Sequence, residues 1–150
     1  MPEILNAVVE FLHGGGEPEE GLEGDLHRAE AYAILHYNRR PYCLVKDWII
    51  AEVMVSEDFS SSLVNEGLAP CVLYASDVVL HSAGKRNPGG WVRSTFQQPG
   101  TASHVFQTRN TTYVLMGPGK RKRVSMETLM AIESQPLVAM RVINPDRLQY

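Results

Sequence analysis

The chain has 150 residues and a net charge of −3, a length that suits one domain and buries about two-thirds of its unfolded surface without disulfide or metal staples. Apolar residues at 44% and charged residues at 21% exclude a disordered or fibrous chain and indicate a globular one. No apolar run approaches the roughly 20 residues that span a bilayer, and no basic segment followed by an apolar one opens the sequence, so a cytoplasmic protein with no membrane partner is expected.

Residues 3–13 place Ile4, Leu5, Val8, Val9, Phe11 and Leu12 at helical spacing, and Gly14-Gly15-Gly16 ends the helix. EPEEGLEG reads as an acidic loop. Asp25 caps a second helix that carries Leu26, Ala29, Tyr32, Ala33 and Leu35 and stops before Pro41. YCLVKDWIIAEVMV (42–55), rich in β-branched and aromatic residues, is one long strand or two short ones. Ser56 caps a short helix that Gly67 closes, and Pro70 restarts the chain in extended form.

CVLYASDVVLHS (71–82) is the next strand, with Asp77 calling for a basic partner such as Arg93 or Arg109. AGKRNPGG is a turn by composition. WVRSTF is a short strand with Trp91, Arg93 and Thr95 on one face and Val92, Ser94 and Phe96 on the other. HVFQTRNTTYVLM (104–116) alternates as a single strand, and GPGKRKR turns sharply after it. Ser125 then caps a helix with Glu127 in its first turn. Pro136 breaks that helix, and LVAMRVI (137–143) reads as a last strand. The order predicts an α+β domain over 1–150: a helical, acidic part (1–40) and a sheet-containing core (41–150). The sheet is expected to be mainly antiparallel, with about five or six strands.

Charge is unevenly spread along this order. Residues 1–30 hold eight acids against Arg28 alone, whereas 85–123 hold eight of the 14 bases and no acid. Such separation suits either a polar partner surface or docking of one end of the chain on the other. The basic run Lys120-Arg121-Lys122-Arg123 precedes a helix start, where free N–H groups attract anions and guanidinium groups bind oxyanions in bidentate fashion. It lacks the spacing of a phosphate-binding GxxxxGK[ST] loop. If the 91–96 and 104–116 strands pair, Trp91, Arg93, Arg109 and Asn110 join it in one anion- or partner-binding surface. Hydroxyls and Asn side chains also hold sheets together with no ligand involved.

No catalytic residues are assigned. Ser94, His104 and Asp77 make a triad on paper, with no spacing to support it. Cys43 and Cys71 sit in apolar strand-like runs as buried free thiols, and with five scattered histidines they form no metal-ligand pattern, so no metal or cofactor is expected. Trp91, Phe96, Phe106 and Tyr113 interleave with the bases, as nucleic-acid binding would use. The pI near 5.9 argues against strong nonspecific binding.

The runs CLVKDWI, VLYASDVVLHSAGK, GGWVRST and FQTRNTTYVLMGPGKRK resemble an uncharacterised bacterial domain family of pseudomonads and their mobile elements, from about Tyr42 to about Thr128. Gly90 stands where that pattern has an acidic residue. The resemblance implies a small cytosolic accessory protein and carries over no catalytic residue. The functional expectation is therefore a binding protein whose basic sheet-and-turn face engages an anionic protein or nucleic acid. One alternative is an enzyme on a phosphorylated or nucleotide substrate, with Arg93 and Arg109 as anion clamps and Asp77 or Glu127 as base. Another is an immunity or anti-defence inhibitor acting through its acidic N-terminal region.

Overall fold

The structure, a computed structural model, describes residues 3–36, 39–100 and 102–134. The elements in order are α1 (Glu3–His13), β1 (Glu17–Glu19), α2 (Leu26–His36), β2 (Tyr42–Met54), α3 (Glu57–Asn65), β3 (Cys71–His81), β4 (Val92–Arg93), β5 (Val105–Gln107), β6 (Thr112–Leu115), β7 (Gly119–Ser125) and α4 (Met126–Ser134). The last strand expected at 137–143 lies outside the described residues.

The class is α+β, but among the described residues the sheet is mixed and has seven strands, more than the expected five or six. β2 is its spine. β3 pairs antiparallel along one side of it, while on the other side β6 and β7 both run parallel, β6 against Tyr42–Val45 and β7 against Ile49–Met54. A parallel neighbour needs a long connection rather than a hairpin, and local turn signals do not reveal which long connection returns to which strand.

Two faces of β2 build the core. Leu44, Ile49, Ala51 and Val53 face the helices: α1 and α4 pack on one half through Leu5, Val8, Phe11, Leu129 and Ile132, and α2 packs on the other through Ala29 and Ala33. Leu26 and Leu35 of α2 are exposed, and the helix packs on Leu44 and Val114 through its two alanines. The opposite face of β2 contributes Cys43, Val45, Trp48 and Ile50 to a second cluster with Leu73, Val92, Phe106 and Tyr113. There the sheet curls on itself. Gln97 bonds back to Ala69 and Cys71, and the Gln98 amide donates to the Gln107 carbonyl at 2.7 Å, which links the β4 side to β5. Arg40 Nη1 pins this seam by donating to Gln98 Oε1 and the Thr108 carbonyl, at 2.5 and 2.7 Å. The second cluster is thus the inside of a small barrel-like turn of the sheet.

One residue keeps both faces apolar. Strict alternation would send Val45 and Trp48 to opposite faces, yet both are inside. Asp47 lies between them at φ 50, a left-handed conformation that Asp tolerates better than most residues, and this shifts the phase of the strand. Lys46 and Asp47 are correspondingly exposed.

The expected strand 104–116 is two strands. Thr108 Oγ1 accepts from the amides of Asn110 (3.2 Å) and Thr111 (3.1 Å), and the Thr108 amide donates to the Thr111 carbonyl, which turns the chain into a β5–β6 hairpin with Arg109 and Asn110 at its tip. Threonines favour strands but also form such local turns, and the second role prevails here. WVRSTF pairs as a strand only at Val92–Arg93, although its alternation holds: Val92 and Ser94 are buried.

Candidate functional site

β7 is the correction with most consequence. GKRKR, read as part of a turn, belongs to a strand, Gly119–Ser125, between β2 and β1. Its side chains alternate. Lys122 and Val124 face α1, and Arg121 and Arg123 face the side of Glu52. Lys122 is buried, and its ammonium donates to the carbonyls of Phe11 (2.5 Å), Gly14 (2.7 Å) and Glu10 (3.3 Å) at the end of α1. A cation there meets the negative end of the helix dipole; the Glu10 carbonyl also accepts from the Gly14 amide at 2.7 Å. Burial first, and then the neighbouring Lys120, lower the Lys122 pKa, with Glu10 opposing.

Arg121 is equally engaged. Its Nε donates to Glu19 Oε1 at 3.0 Å, and Nη1 lies 3.8 Å from Glu52 Oε2. The acidic segment read as a loop therefore contains β1, whose Glu17, Pro18 and Glu19 stand opposite Arg121, Lys120 and Gly119. Of the two outcomes that the charge separation allowed, docking of one part of the chain on another accounts for this pair. Lys120 and Arg123 remain exposed, Lys120 donating to the Gly14 carbonyl at 3.3 Å.

The other predicted residues lie elsewhere. Arg93 and Trp91 belong to the far edge of the sheet, separated from β7 by β2 and β3, about 14 Å at normal strand spacing. Trp91 stacks on Tyr74 at 5.9 Å, and Arg93 Nη1 donates to the Ser94 carbonyl at 3.3 Å. Arg109, at the hairpin tip with Asn110, reaches the carbonyl and carboxylate of Glu66 at 3.2 and 3.5 Å. Neither arginine takes Asp77, which stands opposite Lys46. The expected residues thus occupy three places: the β7 row, the β4 edge and the β5–β6 tip.

The hydroxyl and thiols offered by the sequence are built into the frame. Ser94 is buried, and its Oγ accepts from the Leu73 amide (2.8 Å) and donates to the Thr95 carbonyl (2.7 Å), standing in for a strand-to-strand bond. Burial pushes the Cys43 thiol up to about 12 and raises Cys71 as well. The two cysteines lie on paired strands, yet Cys43 faces His81 and Cys71 faces Glu52, so their register separates them by about 30 Å and no disulfide joins them. Among the described residues no group of three or more His, Cys, Asp or Glu side chains is placed to hold a metal, and no helix is long and apolar enough to cross a membrane.

Among the described residues, two clefts lie near these elements. One, of about 350 Å³, lies at the Asp47 irregularity between Glu23, Lys46 and Pro118. The larger, of about 530 Å³, runs beside β7 from Glu10 and Gly15 to Met54, Arg123 and Thr128. The sequence carried one sign of this arrangement, since Lys122 shares strand parity with apolar Val124. Nothing in it announced that Gly14–Gly16 would leave the flank of β7 open.

Residues 20–131 match the model of a family described as a domain of unknown function, DUF6957. No curated protein and no solved structure matches the chain.

Proposed function

Because the chain belongs to that family, whose description assigns no activity, we propose from its geometry that it is a non-enzymatic binding protein whose β7 flank engages an acidic surface of a protein partner. The observation that carries this reading is the strand itself: it exposes Arg123 beside an open cleft and Lys120 on its α1 side, and it already holds one acidic segment, β1, through Arg121. A protein partner is favoured over nucleic acid because the exposed bases lie in three places, whereas a phosphate backbone calls for a continuous stripe. Binding is favoured over catalysis because Ser94 and Cys43, the natural nucleophiles, are committed to the interior.

The test measures binding of polyglutamate, and of 20-mer single- and double-stranded DNA, by fluorescence polarisation at low and moderate salt. The unaltered chain is compared with a Lys120→Glu/Arg123→Glu variant. Salt-sensitive binding of polyglutamate that the variant loses is expected. Preference for DNA, or polyglutamate binding that the variant keeps, overturns the reading.

A further inference from the structure

Strand β7 is covered along only half of its outer side. β1 pairs with Gly119–Arg121 and ends, while β7 continues to Ser125 against β2. Among the described residues no strand pairs with β7 beyond Arg121 on that side. The direction of the main-chain groups follows from Pro18. Proline has no N–H, so its opposition to Lys120 is the non-bonded kind, and Glu17 and Glu19 face the outward-pointing groups of Arg121 and Gly119. With a period of two, Arg123 is the next residue whose N–H and C=O point outward, into the larger cleft.

If the register of β1 continued, Gly15 would stand opposite Arg123. Gly15 puts no side chain there, and a Cβ on it would meet no atom within 4 Å, whereas Gly16, toward β1, lies against β7, where a Cβ would come within 2.7 Å of Lys122 Cγ. On the α1 side the cleft is lined by Glu10 and the carbonyl-bound Lys122, and on the side of Glu52 and the exposed Met54 by the exposed charge of Arg123.

We propose that this open half of β7 takes an extended acidic segment of a protein partner as an added strand in line with β1. This rests on the reading above and specifies its partner and mode. Strand addition satisfies the outward main-chain groups and reads alternate side chains. Carboxylates on one parity meet Arg123, as Glu19 meets Arg121 in β1. Positions of the other parity face Glu10 and Ala7, so they are small and uncharged. The occupant is a segment with acids at every second position, rather than any acidic stretch.

The experiment uses the full chain and a fluorescent octapeptide of alternating Glu and Val. Two further versions carry N-methyl groups on the Glu amides or on the Val amides. In an added strand only one parity of amides points at β7, so one methylated version is expected to lose binding at least tenfold and the other to keep it. Arg123→Glu and Gly15→Trp are expected to lose the peptide at unchanged melting temperature, and Arg109→Glu, at the hairpin tip, to retain it. Equal binding of both methylated versions overturns strand addition and leaves an acidic partner standing. So does binding of polyglutamate without the octapeptide. Failure of both acidic probes overturns the inference together with the reading beneath it.

Discussion

Replacing Lys122 with Met keeps a straight stem against Phe11 and removes the ammonium that closes α1. The Phe11 carbonyl then loses its donor, while the Glu10 carbonyl keeps the Gly14 amide and the Gly14 carbonyl keeps Lys120 Nζ. Hydrogen bonds from a charged donor contribute about 1.5–3 kcal/mol each in favourable cases, and a cation at a partly buried helix end up to about 2 kcal/mol. These contributions overlap, and the desolvation of the ammonium, visible in its lowered pKa, offsets part of them. The net loss expected is about 2 kcal/mol. At a urea slope of about 2 kcal/mol per molar, the unfolding midpoint falls by about 1 M with the slope unchanged. Hydrogen exchange at the last turn of α1 quickens in the same variant. A Lys122→Met protein within about 0.5 kcal/mol of the parent would falsify the assignment of this lysine as the clamp of α1.

Other substitutions probe the remaining devices. A Cβ on Gly119 would come within 2.2 Å of the buried Trp48 indole, whose Nε1 donates to the Met116 and Gly117 carbonyls at 3.2 Å; Gly119→Ala should cost about 1–3 kcal/mol by overpacking and shift the tryptophan emission, and an unshifted spectrum at full stability would contradict the packing. At Asp47, Gly should be neutral or stabilising and Val should cost about 1–2 kcal/mol, because the φ of 50 is the cause; equal midpoints for the two in urea would remove that cause. Thr108→Val should lose about 1–2 kcal/mol and raise amide exchange at Asn110 and Thr111, whose N–H groups it leaves without Oγ1. Burial first, then Arg86 and Lys85, hold His81 below its ordinary 6.5. The unfolded chain therefore takes up this proton first as pH falls, so the contribution of His81 is present above pH 6.5 and is lost as pH drops through its folded value. Urea midpoints at pH 7 and pH 5 should show the parent losing more than His81→Ala, and a constant difference would refute the shift.

Sequence patterns alone determined the local elements. Helical spacing in 3–13, the caps at Asp25, Ser56 and Ser125, and the two long apolar runs of β2 and β3 all place their elements, because each signal acts over a few residues. The inward parity of Val92 and Ser94 follows from strand alternation in the same way. The role of 119–125 lay beyond that range. Gly-Pro-Gly and a run of four bases have the composition of a solvated turn, and only distant partners, β2 about 70 residues earlier in the chain and β1 about 100 residues earlier, supply the bonds that make them a strand. The same non-local pairing decided that Lys122 closes α1 and that Arg121 holds β1. It also dispersed Arg93, Arg109 and the β7 bases to three places. The tertiary structure decided these points because a cation's role depends on which carbonyls and carboxylates the fold brings to it, and contacts of that separation leave no periodic trace in the chain.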